Sequence, residues 1–198
     1  EIPLNEVMPK GFSSVRTGKR AMTWRDDAPS TLVYAEALDG GDQAKSADFR
    51  DEIFLWEAPF SANPKSFFKT KQRYSGTDWS NSDYAVVSES WYDTRNTKSY
   101  LINLKDNSSK VIEDRNFQDV YSDPGRFNNT RNQYGRNVID VENNKAYLVG
   151  DGFTKDGQKP FIDEIDLITQ QKKRLYTSNL KNSKEDLYDI IDIKKGEI

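Results

Sequence analysis

Short runs in which apolar and polar residues alternate, punctuated by turns rich in Asp, Asn, Gly and Pro, occupy most of the chain. A period of two marks a strand with one buried face. This pattern predicts strands over 31–38 (TLVYAEAL), 52–58, 66–74, 84–91, 98–104, 109–114, 137–142, 145–150, 161–167 and 173–178. Trp24 to Pro29 reads as a turn, Asp106-Asn107 as a hairpin turn, and 151–159 as a loop. Helical periodicity is nowhere sustained beyond a turn or two. The expected class is all-β.

The strands recur. Aligning 32-LVYAE-36 with 85-AVVSE-89 gives an offset of 53 residues. Aligning 101-LINL-104 with 164-EIDL-167 gives 63, and each copy continues into another strand, 110-KVIED-114 and 173-KRLYT-177. Repeats of this length built from four short antiparallel strands are the signature of β-propeller blades. The expected blades are 22–75, 77–115 and 137–179, with an inter-blade loop over 115–137 and a partial blade over 187–198. The pattern begins and ends part-way through a blade, so a partial propeller is expected: about two whole blades plus parts of two more.

Composition narrows the function. Apolar residues make up 35%, yet 4 Trp, 10 Tyr and 10 Phe supply enough bulk for half-exposed antiparallel strands to pack. Basic and acidic residues, 29 and 32, are well mixed, so no basic arm or face points to nucleic acid. No apolar run approaches the ~20 residues that cross a bilayer, and no membrane partner is expected. The chain has no Cys and no His. That excludes thiol nucleophiles, histidine metal sites and a Ser–His–Asp triad contained within these residues, and no cofactor is expected.

Candidate chemistry is sparse. Asp26-Asp27 and the group Asp163, Glu164 and Asp166 could supply paired carboxylates, but neighbours along a strand point to opposite faces, and a structural role is expected. The run 151-DGFTKDGQ-158 fits calcium-loop spacing poorly, and no phosphate loop or Gly-x-Ser-x-Gly elbow exists. Trp56, Trp79, Trp91 and Tyr92 are expected to pack between blades rather than form a ligand platform. Arg16, Arg20, Arg25, Arg50, Arg73 and Arg95 sit near strand ends and loops, where a propeller presents side chains to its channel or rim. Most should pair with nearby Asp and Glu; any left over could take an acidic ligand.

Several stretches are more particular than generic blade sequence: 15-VRTGKR-20, 24-WRDDAP-29, 31-TLVYAEALDGGD-42, 50-RD-51, 88-SESWYDTR-95 and 119-DVYSDPG-125. From about Val15 onward they resemble the propeller of the prolyl oligopeptidase family of serine peptidases, closest to its glutamyl endopeptidase branch of plant chloroplasts and bacteria. The resemblance implies a propeller that admits peptides, excludes folded proteins and covers a separate C-terminal α/β-hydrolase domain carrying the Ser, Asp and His. Peptide substrates and that domain are then the partners, and a periplasmic or secreted bacterial location is favoured. No catalytic residue maps onto this chain. In a glutamate-cleaving peptidase, Arg16, Arg20, Arg25 and Arg95 become candidates for holding a substrate carboxylate. The alternative is a stand-alone binding or scaffold propeller. Under either reading, unpaired strand edges lead us to expect self-association of the isolated chain.

Overall fold

The computed structural model describes residues 8–181, 183–188, 190, 191 and 195. Three four-stranded antiparallel sheets follow one another along them. The first contains β1 (Arg20–Trp24), β2 (Thr31–Ala37), β3 (Asp51–Glu57) and β4 (Lys65–Thr70), in that spatial order. The second contains β5 (Arg73–Trp79), β6 (Tyr84–Trp91), β7 (Asn96–Asn103) and β8 (Ser109–Asn116), again in chain order.

The third sheet is elaborated. Its innermost strand, β9 (Arg126–Phe127), pairs with β12 (Lys145–Gly150), and β15 (Phe161–Asp166) and β16 (Lys172–Thr177) complete it. Between β9 and β12, β10 (Asn129–Arg131) and β11 (Asn137–Ile139) pair as a hairpin. A second small hairpin, β13 (Phe153–Thr154) with β14 (Gly157–Gln158), occupies the expected loop 151–159. Meandering four-stranded sheets in face-to-face succession are propeller blades, and this is a partial propeller.

The repeat offsets have direct structural meaning. The 53-residue offset superposes β2 on β6, the second strands of their sheets. The 63-residue offset superposes β7 on β15, the third strands, and carries β8 onto β16, the fourth.

Alternation then sorts side chains between two cores. Val33, Ala35 and Ile53 of the first sheet meet Tyr74, Trp79, Ala85, Val87 and Ile102 of the second. Val86 and Leu101, on the opposite face of the second sheet, meet Ala146, Leu148 and Ile165 of the third. Burying each Val, Leu or Ile side chain among them contributes about 1.5–3 kcal/mol, so these faces hold neighbouring blades together.

Two expectations are corrected. Residues 66–74 are not one strand: the chain turns at Lys71 and Gln72, whose N–H groups both donate to the Glu89 carboxylate, at 2.7 and 3.1 Å. That turn ends the first sheet at Thr70 and makes Arg73–Trp79 the inner strand of the second. Residues 115–137 are not simply loop, because they carry β9, β10 and a 3₁₀ turn over Val120–Ser122. Strands of two and three residues are too short for alternation to register.

The strand expected at 187–198 falls mostly outside the described residues. Among those described, Tyr188 and Ile190 lie in no strand but run beside the start of the third sheet. There Ile190 N–H donates to Asn128 Oδ1 at 2.9 Å and Arg126 donates to the Tyr188 carbonyl.

Candidate functional site

The end of the blades at which β1, β5 and β9 begin carries the densest charge chemistry. Arg73, the first residue of β5, is 6% exposed and spends all three guanidinium nitrogens on buried acceptors. Its Nη1 and Nη2 fork onto Asp39 Oδ1 and Oδ2 at 2.9 and 2.7 Å. Nη1 also reaches Asp51 at 3.1 Å, and Nε donates to the Ser13 carbonyl at 2.6 Å. Asp51, fully buried, accepts from Tyr74 N–H at 2.7 Å and pairs with Arg20. Asp39 also takes Arg50 Nη1 at 2.8 Å and Gly41 N–H at 2.9 Å.

Three arginines thus share two carboxylates, and the Trp91 ring lies under the guanidiniums of Arg50 and Arg73, 4.6 and 5.8 Å from its centroid. Burial pushes the Asp39 carboxyl up, but the Arg73 and Arg50 hydrogen bonds outweigh it and hold it below the usual carboxylate range. The cluster joins the first sheet to the second. It is structural chemistry, with its carboxylates satisfied.

Glu89 belongs to the same end. It is fully buried without an ion-pair partner among the described residues, and it binds the Lys71 and Gln72 N–H groups through Oε2 and the Tyr100 hydroxyl through Oε1, at 3.0 Å. Burial and the nearby Glu89 charge push the Tyr100 hydroxyl far up, so it stays a donor.

The four arginines singled out for a substrate carboxylate do not converge. Arg20 is committed to Asp51. Arg25 lies past the other end of β1, roughly 15 Å away at the rise of a strand. It is forked onto Asp27 at 2.6 and 2.8 Å and stacked 4.2 Å over Trp79. Arg16 and Arg95 remain at the arginine-rich end. Arg16 has its Nη1 buried without a hydrogen-bond partner among the described residues. Arg95 sits in the β6–β7 turn with its guanidinium 3.6 Å over the exposed Tyr92 ring.

Other candidates resolve as structure. Asp163 pairs with Arg174, Glu164 with Lys145 at 2.7 Å, and Asp166 accepts N–H groups of its own turn. Trp79, 2% exposed, packs on Phe67 at 5.3 Å between the first two sheets, and Trp56 donates to the Ala62 carbonyl at 2.8 Å. Among the described residues no cluster of three or more acidic side chains forms a metal site. Sequence reasoning missed Asp39, Asp51 and Glu89. A signal was present: Arg20, Arg73 and Arg126 recur at 53-residue spacing, each opening the inner strand of its sheet.

No family model matches the chain. It is 38% identical over 200 residues to a probable chloroplastic glutamyl endopeptidase of Oryza sativa subsp. japonica, covering 96% of this chain and 21% of that protein. A probable chloroplastic glutamyl endopeptidase of Arabidopsis thaliana is 36% identical over 209 residues, covering 100% of this chain and 22% of its own length. The chain therefore spans about a fifth of the curated relatives it matches. Both are plant proteins, and they lend no support to a bacterial source.

Among solved structures, the tricorn protease overlaps 81% of this chain and 13% of its own, with a TM-score of 0.43 and 11% identity. The β-propeller domain of the Trilobed protease from Pyrococcus furiosus overlaps 80% of this chain and 42% of its own, with a TM-score of 0.37 and 13% identity. By its sheets and its sequence, the chain is a β-propeller segment similar along its whole length to one stretch of the glutamyl endopeptidases.

Proposed function

We propose that this chain is the non-catalytic propeller region of a serine endopeptidase of the prolyl oligopeptidase type, controlling peptide access to a separate hydrolase domain. The observation that carries it is identity of 36–38% over essentially the whole chain to two probable glutamyl endopeptidases. The lack of His agrees, since the triad must then lie outside these 198 residues. Cleavage after Glu is part of the reading. Of the four arginines singled out for a substrate carboxylate, Arg16 and Arg95 are the two whose guanidiniums no carboxylate claims among the described contacts, so they keep capacity for a Glu side chain.

The test uses the whole protein and matched peptides carrying Glu or Gln at the cleavage position. Cleavage is expected with the Glu peptide and at least tenfold less with Gln, with an Arg16→Ala, Arg95→Ala variant losing that preference through KM. No cleavage of either peptide refutes the peptidase reading. Cleavage with preference intact in the variant removes only the arginine assignment.

A further inference from the structure

The face that each blade turns to the next differs between the first two sheets at one row of positions. In the first sheet the row is Ala35, Ile53 and Phe68, cross-strand partners on β2, β3 and β4. Ile53 is fully buried, and Phe68 packs on Tyr100 of the second sheet at 5.2 Å. The equivalent row of the second sheet is Ser88, Ser99 and Glu113, cross-strand partners on β6, β7 and β8. Two hydroxyls and a carboxylate stand where the repeat has apolar side chains. A cavity of about 160 Å³ opens there, between the second and third sheets.

Its walls are chemically opposed. Ser88, Ser99, Glu113 and Asp78 come from the second sheet, while Arg126 and Lys172 come from the third, with Val86, Phe127, Leu148 and Ile165 supplying apolar surface. Proton bookkeeping fixes the polarity of the first wall. Ser99 Oγ donates to Glu113 Oε2 at 3.1 Å, so the 3.1 Å contact between Ser88 and Ser99 is donated by Ser88. Both hydroxyl hydrogens are used and Glu113 Oε1 already takes Arg115 Nε at 2.6 Å, so that wall presents acceptors, with Asp78 the carboxylate that no described ion pair claims. The other wall offers cations whose charge is matched by no described ion pair: Arg126 donates to the Tyr188 carbonyl alone. The cavity exceeds the ~30 Å³ share of a single water several-fold and falls short of the ~300 Å³ typical of drug-sized ligands.

We propose that this cleft binds a small zwitterion, a free α-amino acid with an aliphatic side chain. Its ammonium meets the Ser88, Ser99, Glu113 and Asp78 wall, its carboxylate meets Arg126 or Lys172, and its side chain lies on Leu148 and Ile165. The row of polar positions costs the packing that Ile53 and Phe68 supply one blade earlier, and a bound ligand bridging both sheets restores it. The site is independent of the peptidase reading, because its test measures binding and not proteolysis.

The experiment titrates L-leucine calorimetrically into the protein carrying this chain, alongside N-acetyl-leucine, which lacks the ammonium, and isoamylamine, which lacks the carboxylate. Saturable one-site binding of leucine is expected, with each truncated analogue at least tenfold weaker, as loss of a charged hydrogen-bond partner implies. The exposed Arg126→Ala, Lys172→Ala variant should weaken leucine about tenfold without loss of fold. Transplanting the apolar row with Ser99→Ile and Glu113→Phe should abolish binding and raise Tm. No saturable heat with leucine, equal affinity for all three ligands, or unchanged leucine affinity in the Arg126/Lys172 variant would each overturn the proposal.

Discussion

Arg73 shows how one side chain can join two blades. Its partners lie 34 and 22 residues back in the sequence, at Asp39 in the β2–β3 loop and Asp51 at the start of β3, so it closes on the preceding sheet. Removing it leaves two buried carboxylates under-compensated, a situation that costs about 3–5 kcal/mol. Arg73→Ala should lower the urea midpoint by that equivalent, and Arg73→Lys should recover little, because a point charge cannot reproduce the fork. A midpoint within error of wild type for Arg73→Ala would show that the cluster contributes no stability, and the same result for Arg73→Lys alone would show that charge suffices and the fork does not matter.

The same cluster sets an acid limit. Asp39 is held below its ordinary value in the folded chain. Its contribution is therefore complete above the unfolded pKa of about 3.9 and is lost as pH falls through the lower folded value. Stability measured by denaturant at pH 6, 4 and 3 should be flat over the first step and fall over the second. In Asp39→Asn, which has no such group to protonate, the drop between pH 4 and 3 should be smaller.

At the scale of elements, much was legible because the repeat preserves strand position: β2, β6, β7, β12 and β15 lie within a few residues of where alternation puts them. The misplaced boundary at 66–74 has a specific cause, the Glu89 carboxylate capturing two N–H groups from 17 and 18 residues away. Local alternation runs straight through that turn. The arginine partners were legible as a class, since Arg25 finds Asp27 two residues on, but not as a network. Which carboxylate reaches Arg73 depends on the course of the 38–50 loop, on which periodicity is silent.

The β10–β11 hairpin was hidden for a similar reason, and it makes hydrogen bonds that span up to 111 residues of sequence. It reaches over the second sheet's β5–β6 turn, where Asn81 bonds Asp140 and Val141, to the first sheet's β1–β2 turn. There Asn132 donates to the Asp26 carbonyl at 2.7 Å and Arg136 to the Arg25 and Ala28 carbonyls at 2.6 and 3.2 Å. One hairpin thus straps three consecutive blades. Arg136→Ala should raise amide exchange across 129–139 and 25–30 by about tenfold, the effect of losing one to two kcal/mol of local stability, with the β6–β7 core unchanged. Uniform acceleration across all three sheets would mean that the hairpin is part of the global unfolding unit and not a separate strap.

For the molecule as a whole, the two ends of the blades differ in what they expose. Phe12, Leu38, Phe49, Tyr92, Phe117, Val120, Tyr121 and Phe153 all stand at least 37% exposed at the arginine-rich end, in the segments that connect the main sheet strands, whereas Trp24, Tyr134 and Ile168 are their counterparts at the other. Exposed aromatic surface gathered on one end marks a surface made for contact. A second, partly exposed apolar surface lies on the first sheet's far face, where half-buried Phe54 stacks at 5.4 Å on a Tyr34 that is itself only 2% exposed beneath Lys19, and no further sheet covers that face among the described residues. Both surfaces should drive association of the isolated chain. Light scattering across a hundredfold concentration range is expected to show mass rising above 22.8 kDa. Two variants separate the causes: Phe12→Ser with Tyr121→Ser should reduce association if the loop end is responsible, and Phe54→Thr should do so if the sheet face is. A chain that stays monomeric at the highest concentration would mean that neither surface is adhesive without the rest of the protein around it.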